Sequence, residues 1–579
     1  MRSFRSSSIA LALVCTTSVA HALTARAQPK QADYDAIAAI SAYAPRALAE
    51  QGAPGMSVAI TDRTHTLAIL TVGYANVDAK APVTPSTRFP IGSITKSMTA
   101  LALLQLHDAG KLDLNAPVTQ YLPSFSIKSE GRPVLVHELL SHTGGVPDDY
   151  TYALSYSFAV AALRNASTIF TPGTSWSYSN DGYNTAGEIL AALAKRPWQD
   201  DVAASVFAPI GMAHTSAYLS PENMSDAAAG YTIRDADLPT PPNPALIPTQ
   251  PYDFLFPAGS ALSTPEDMAR YLRFYLNGGK TEDGRQLIAP ATFAAMTSPD
   301  RLSDGSPAGA PSPVLSEWPE FYSRYGYGLA IFDTGGDRLI GHTGGISGYT
   351  ACMQANLTHG FGVIAMSNLV EAPLHPCAIV KYAMAVLRAQ SLGEPLPTPP
   401  APPHDPSIVV NAGQYAGTFT KSGTSVTVSA AAGRLALRDR GTAYRLIAHS
   451  PGVFWTDDPR FPLYYVAFGR NEAHTVDELQ YGPDLYVNAH YDGPKTFSYP
   501  KRYDTLAGRY ETTFYGEPLV TRVVIVKGQL TFDGLVPLEP QADGTFRIDT
   551  VDVRFDMPAG GKAQRMWIGG SDLYRVDLP

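Results

Sequence analysis

Hydrophobic positions along the chain form short patterns whose period changes from segment to segment. Two apolar runs, Met56 to Thr61 and Leu67 to Val77, flank Asp62-Arg63-Thr64-His65 and predict a hairpin. From Ser97 to His107 the residues Met98, Leu101, Leu103 and Leu104 fall on one helical face, and Gly110 closes that helix. The pattern predicts further helices over Val134 to Leu140, ending in Gly144-Gly145, and over Thr185 to Ala194, Pro265 to Leu276 and Ala378 to Arg388. Late strands are expected at Gly328 to Phe332, Tyr349 to Gln354 and Gly362 to Met366. Helices mixed with a mainly antiparallel sheet predict an α+β domain over residues 28–392.

A proline run, Glu394 to Pro403, interrupts the pattern and predicts a stiff linker over residues 393–408. Beyond it, strand-like segments alternate with glycine turns, and the segment repeats. Gly413-Gln414-Tyr415 is matched by Gly508-Arg509-Tyr510, and Gly433-Arg434-Leu435 by Gly528-Gln529-Leu530 at the same spacing. Asp484-Leu485-Tyr486 is matched by Asp572-Leu573-Tyr574 at a slightly shorter one. Three matches in order predict two related all-β modules, residues 409–500 and 501–579, each of a size to close into a small barrel and hide its strand edges.

Composition narrows the picture. The 579 residues exceed what one core accommodates. The net charge is −9, and no Lys or Arg run follows the N-terminus, which excludes a nucleic-acid partner. Residues 1–27 read as a secretory signal. Arg2 and Arg5 precede an apolar stretch from Ile9, and two small-x-small cleavage patterns follow, Ala20-His21-Ala22 and Ala25-Arg26-Ala27. That stretch is too short to span a bilayer, and no later one reaches the required length, so a periplasmic or secreted protein without stable membrane insertion is expected. Cleavage removes Cys15 and leaves Cys352 and Cys377, which either pair in an oxidising compartment or stay as buried thiols.

Ser93-Ile94-Thr95-Lys96 sits where the chain turns into the Leu-rich helix. Residues three apart share a helix face, so the Lys96 amine reaches the Ser93 hydroxyl. An ordinary lysine, pKa about 10.4, is protonated and useless as a base, so the site must desolvate it. The backbone N–H of Ser93, at the positive end of the helix, favours an oxyanion. A second Ser-x-x-Lys, Ser498 to Lys501, contains Pro500 and reads as a loop between modules. Tyr178-Ser179-Asn180 supplies a hydroxyl to relay a proton and an amide, Asn180, to hold both lysine and substrate carbonyl. In His342-Thr343-Gly344-Gly345, small residues let a substrate backbone lie along the strand, and the Gly345 N–H forms the second half of an oxyanion hole with that of Ser93. A rival copy, His142-Thr143-Gly144-Gly145, reads as a helix cap and loop. Trp176 and Tyr183 either line the pocket or pack beneath it. Neither His-Glu-x-x-His nor paired Cys-x-x-Cys points to a metal, no cofactor motif is complete, and Gly279-Lys280-Thr281 lacks the first glycine of a phosphate loop.

Phe89 to Lys96, His137 to Gly145, Tyr178 to Asn180 and Pro257 to Asp267 together resemble the penicillin-binding, class C β-lactamase-like serine hydrolase family. The resemblance implies a two-lobed fold, an antiparallel sheet flanked by helices with the site between the lobes, and catalytic roles for Ser93, Lys96 and Tyr178. Substrate contacts are expected at Asn180, His342 and Gly344. Lactamases and penicillin-binding proteins of that family usually carry Lys-Thr-Gly where this chain has His342-Thr343-Gly344. A histidine, pKa near 6.5, is mostly neutral at pH 7 and a poorer carboxylate anchor. Members with histidine there include D-aminopeptidases and esterases, and the former carry two β-barrel modules after the catalytic domain.

The expected function is therefore acyl-enzyme hydrolysis of small peptides, amides or esters. The alternatives are a β-lactamase or D-Ala-D-Ala carboxypeptidase, and, in another class, a penicillin-binding sensor that stalls or a cell-wall binder acting through the β-modules.

Overall fold

Alternate residues of the central strands feed two separate cores. In β1 (Gly55–Asp62), Met56, Val58 and Ile60 join one core and Ala59 the other. In β7 (Phe361–Ser367), Phe361, Val363 and Ala365 join the first, Ile364 and Met366 the second. A strand buried on both faces needs apolar residues at nearly every position, which is why these segments read as continuous runs. With β2 (Thr66–Asn76), β3 (Ala81–Pro82), β4 (Ala330–Thr334), β5 (Asp337–Ile346) and β6 (Tyr349–Asn356) they form one antiparallel sheet in the order β3-β2-β1-β7-β6-β5-β4. Helices α1 (Gln31–Gln51) and α6 (Cys377–Leu392) cover the first face, and α5 (Pro265–Leu276) covers the second. The second core continues into a helical lobe built around α2 (Thr95–Asp108), α3 (Val136–Leu140) and α4 (Asn180–Ala194). The computed structural model describes residues 31–129, 131–147, 155–233, 245–249, 256–309, 324–370, 376–402, 405–514, 517–548, 551–568 and 571–576. The signal-like segment lies outside these residues.

Cys352 of β6 and Cys377 at the start of α6 are fully buried and form a disulfide, with Cα atoms 5.2 Å apart. It ties the helical cover to the sheet. Helix α6 ends at left-handed Gly393. The proline run then lies back on the catalytic domain instead of standing free. Leu396 packs against the α1–α6 core, the Tyr382 hydroxyl donates to the Pro397 carbonyl (3.3 Å), and Arg46 donates to that of Pro400.

Strands between Gly417 and Val487 close into an eight-stranded barrel. Those between Gly508 and Val576 form a nine-stranded sheet whose two edge strands, Val536–Pro537 and Glu539–Pro540, are separated only by Leu538, so it nearly closes. The repeat is structural. Ala432-Gly433 and Lys527-Gly528 occupy equivalent hairpin turns with both residues left-handed, at φ 48 and 77° and φ 49 and 78°. Leu435 and Leu530 follow each turn into the core, and Leu485 and Leu573 lie buried in the last strands.

Candidate active site

Ser93 sits in a tight turn, Gly92–Ile94, that runs directly into α2. The turn is pinned from behind by the Pro257–Asp267 segment. The Ile91 N–H donates to the Ala261 carbonyl (2.9 Å), the Ala261 N–H donates to Thr95 Oγ1 (3.0 Å), and that hydroxyl donates to the Gly92 carbonyl (2.7 Å). Gly92 is left-handed at φ +51°, and a Cβ there would stand 2.6 Å from the Gly345 nitrogen. Glycine at this position lets the serine turn and strand β5 touch.

Lys96, one helical turn further, is fully buried. Its Nζ lies 3.1 Å from Ser93 Oγ, 2.6 Å from Asn180 Oδ1 and 2.8 Å from the Ala258 carbonyl. A neutral amine has two N–H bonds and one lone pair. Asn180 Oδ1 and Ala258 O carry no hydrogens and accept from this amine, and a neutral amine would turn its lone pair to the Ser93 hydroxyl. The ring of Tyr178 lies beside the amine, its centroid 4.7 Å from Nζ.

Tyr178 and Asn180 arrive together because Ser179 caps α4, its Oγ accepting from the Gly182 N–H (2.9 Å). The helix begins at Asn180, five residues before the start expected from periodicity. Polar Asn180-Asp181-Gly182 carries no apolar repeat, and the capping serine was the missed signal. Tyr183 is fully buried, its hydroxyl donating to the Leu140 carbonyl (2.6 Å), and is a packing residue. Trp176 stands partly exposed among the rings of His142, Tyr178 and Tyr325.

Strand β5 supplies the other wall. Its hairpin with β6 closes at the pair Ile346↔Tyr349 across a two-residue turn, and its hairpin with β4 closes at Thr334↔Asp337. Such turns close on hydrogen-bonded pairs, and those pairs alternate along a ladder. Residues 342, 344 and 346 therefore bond to β6, and the N–H groups of Thr343 and Gly345 point the opposite way. Strand β4 begins at Ala330, opposite Gly341, so its ladder does not reach residues 343 and 345. Gly345 is exposed, and a Cβ there would meet nothing within 4 Å. Gly344 is buried, and a Cβ there would stand 1.9 Å from the Ile91 carbonyl oxygen. A side chain has no room there, so glycine at 344 permits the close approach of β5 to the serine turn.

His342 does not stand in the open cleft expected of a substrate-contacting residue. It is fully buried, its Nδ1 paired with the Thr343 carbonyl and its Nε2 2.7 Å from the Tyr325 hydroxyl. Burial pushes its pKa down to about 3, so it is neutral at working pH and presents no cation. Tyr325, Ala258 and His142 are the site residues that sequence reasoning passed over. The first two are brought in by contacts with residues far along the chain, whereas His142 was visible as a second His-Thr-Gly-Gly and was set aside as a cap.

Among the described residues, no three His, Cys, Asp or Glu side chains converge as a metal site, and no helix is long and apolar enough to cross a membrane. A cavity of about 730 Å³ among Arg63, Tyr275, Asn277, Lys280 and Phe293 shares no residue with this site.

The beta-lactamase family model matches residues 37–379, more than half the chain. The chain belongs to the beta-lactamase family. Penicillin-binding protein 4 of Amycolatopsis lactamdurans is 28% identical over 391 residues, covering 65% of this chain and 95% of that protein. Protein flp of Staphylococcus aureus (strain MRSA252) is 24% identical over 55% of this chain and 60% of its own length. Among solved structures, the octameric penicillin-binding protein homologue from Pyrococcus abyssi superposes with a TM-score of 0.55 at 24% identity, over 78% of this chain and 98% of that one, and so shares the fold. Membership of the beta-lactamase family places the chain among the serine hydrolases that work through an acyl-enzyme.

Proposed function

We propose that the chain is an exported hydrolase of small esters, amides or peptides, with Ser93 as nucleophile, Lys96 as its base and Tyr178 as the proton relay. The observation that carries this reading is the Lys96 amine, fully buried, held by Asn180 Oδ1 and the Ala258 carbonyl and standing 3.1 Å from Ser93 Oγ. Ser93 Oγ attacks the substrate carbonyl as its proton passes to Lys96 Nζ. The N–H groups of Ser93 and Gly345 take the tetrahedral oxyanion, each such donor being worth about 2.7–4 kcal/mol of barrier. Tyr178 passes the proton to the leaving group, which departs and leaves an ester on Ser93. Water, its proton taken back through the same groups, then frees the acid and restores the hydroxyl.

A buried neutral His342 supports uncharged substrates over carboxylates. The β-modules have three candidate roles: cover for the cleft, contact with a wall polymer, or solubility and spacing. The buried disulfide supports maturation in an oxidising compartment, periplasmic or external.

A second reading, β-lactam or D-alanyl peptide turnover, is favoured by the relative named penicillin-binding protein 4. One experiment separates the readings. Purified protein and its Ser93→Ala variant are followed by intact-mass spectrometry with a short-chain p-nitrophenyl ester, a D-alanyl amide and a chromogenic cephalosporin. Transient acylation of Ser93 with turnover of ester or amide is expected. Faster cephalosporin turnover favours the second reading, persistent acylation without product points to a sensor, and equal activity of Ser93→Ala sinks the mechanism.

A further inference from the structure

His142 follows α3 in a left-handed conformation, φ +63°, which costs a non-glycine residue roughly 1–2 kcal/mol. Glycine is the ordinary occupant of a helix-terminating position of this kind. A histidine there needs a reason in its side chain, and the contacts provide one. The His142 carbonyl accepts from the Ser177 N–H (3.0 Å), and its Nδ1 accepts from the Ser179 N–H (3.0 Å). The two bonds grip the backbone on either side of Tyr178. The imidazole itself lies against the Tyr178 ring, centroids 4.3 Å apart at 35°. Only 2% of the residue is exposed, and burial holds its pKa well below the usual 6.5, so the Nδ1 lone pair persists at working pH.

We propose that His142 is a positioning residue that fixes Tyr178 for proton transfer, acting through the two peptide groups that flank it and through the face of its ring. This rests on the acyl-enzyme reading above. A helix stop alone would be served as well or better by glycine. A cradle for Tyr178 would not, because glycine keeps the carbonyl contact and loses both the Nδ1 acceptor and the ring. Asparagine places Oδ1 near the position of Nδ1 and tolerates a left-handed backbone. Glutamine carries its acceptor one bond further out.

The test compares His142→Gly, His142→Asn and His142→Gln with Tyr178→Phe, on a p-nitroanilide and on a p-nitrophenyl ester of the same acyl group. The anilide nitrogen must be protonated to leave, whereas p-nitrophenolate departs unaided, so the ratio of the two kcat/KM values, which report acylation alone, reads the proton relay. His142→Gly and His142→Gln should lower the anilide-to-ester ratio by about 10²-fold, as a misplacement of about 1 Å does. His142→Asn should recover most of it, and adding His142→Gly to Tyr178→Phe should change the ratio no further. Parallel loss on both substrates, an unchanged ratio, or an asparagine variant no better than glutamine overturns the proposal. Should His142→Gly fail to fold, the Asn-against-Gln comparison decides alone. If Tyr178→Phe leaves the ratio untouched, or Ser93→Ala stays active, the acyl-enzyme reading has failed, and the cradle falls with it.

Discussion

Gly344 and Gly345 are neighbours on one strand, yet alanine at each should behave in opposite ways. At 344 the new methyl would lie 1.9 Å from the Ile91 oxygen, 2.8 Å from its carbonyl carbon and 3.3 Å from the Ser93 nitrogen. All three are backbone atoms, so no side chain can swing aside. Ile91 is tied to Ala261, and Gly344 is paired with Ala351, so either the serine turn or β5 must shift by about 1 Å. A displacement of that size costs roughly 10²-fold, and loss of one oxyanion donor about 10²–10³-fold in kcat. Overpacking should add a stability loss of about 1–3 kcal/mol. At 345 the methyl meets nothing within 4 Å, and the strand keeps its ordinary backbone. Gly345→Ala should melt like the parent and keep its rate on acetyl and bulkier acyl esters, because the methyl meets no atom of the chain. Melting curves and kcat/KM for acetyl, butyryl and benzoyl esters read both effects. A Gly344→Ala variant within twofold of the parent at unchanged Tm, or a Gly345→Ala variant that melts early, would falsify this account of the oxyanion wall.

Three further outcomes follow from particular contacts. Lys96→Met keeps the length and removes the base, so kcat should fall by about 10²–10⁴-fold, and Lys96→Arg should not rescue it because a guanidinium stays protonated. His137 and Asp300 pair at 2.9 Å. Burial opposes the charge on His137, but Asp300 outweighs it and raises the His137 pKa above 6.5; Asp300, though buried, is held below 3.8 by His137. The histidine's contribution is present below 6.5 and lost as pH rises through its folded pKa. The aspartate's is present above 3.8 and lost as pH falls through its own. Asp300→Asn should therefore lower Tm more at pH 5.5 than at pH 9, and an equal loss at both would count against the pair. Replacing both Cys352 and Cys377 by serine opens a disulfide across 25 residues, and chemical denaturation should show a loss of about 2–4 kcal/mol.

Much of the site was legible because its signals are local. Pro265 to Leu276 forms a helix with the bounds expected, since Thr264 caps it and proline suits its first turn. Ser93 and Lys96 meet because three residues of helix bring them together wherever the helix lies. The start of α4 was not legible from periodicity, because Ser179 sets it through a cap. His342 was misread because a motif gives residue order and not depth: in the folded chain Tyr325 and the Thr343 carbonyl occupy both ring nitrogens below the surface. His142 was undervalued for a related reason, its partners Ser177 and Ser179 lying 35 and 37 residues away.

The sequence alone determined several of the catalytic domain's helices and strands, though not α1 or the start of α4, together with the serine–lysine pair and the repeated turns of the β-modules, all consequences of torsion preference and short-range spacing. Tertiary structure alone decided which carbonyl and which amide meet the amine, which glycine allows contact and which lies exposed, and that the second histidine motif cradles the tyrosine. Those outcomes depend on burial and on the meeting of segments far apart in the chain, and no local rule carries that information.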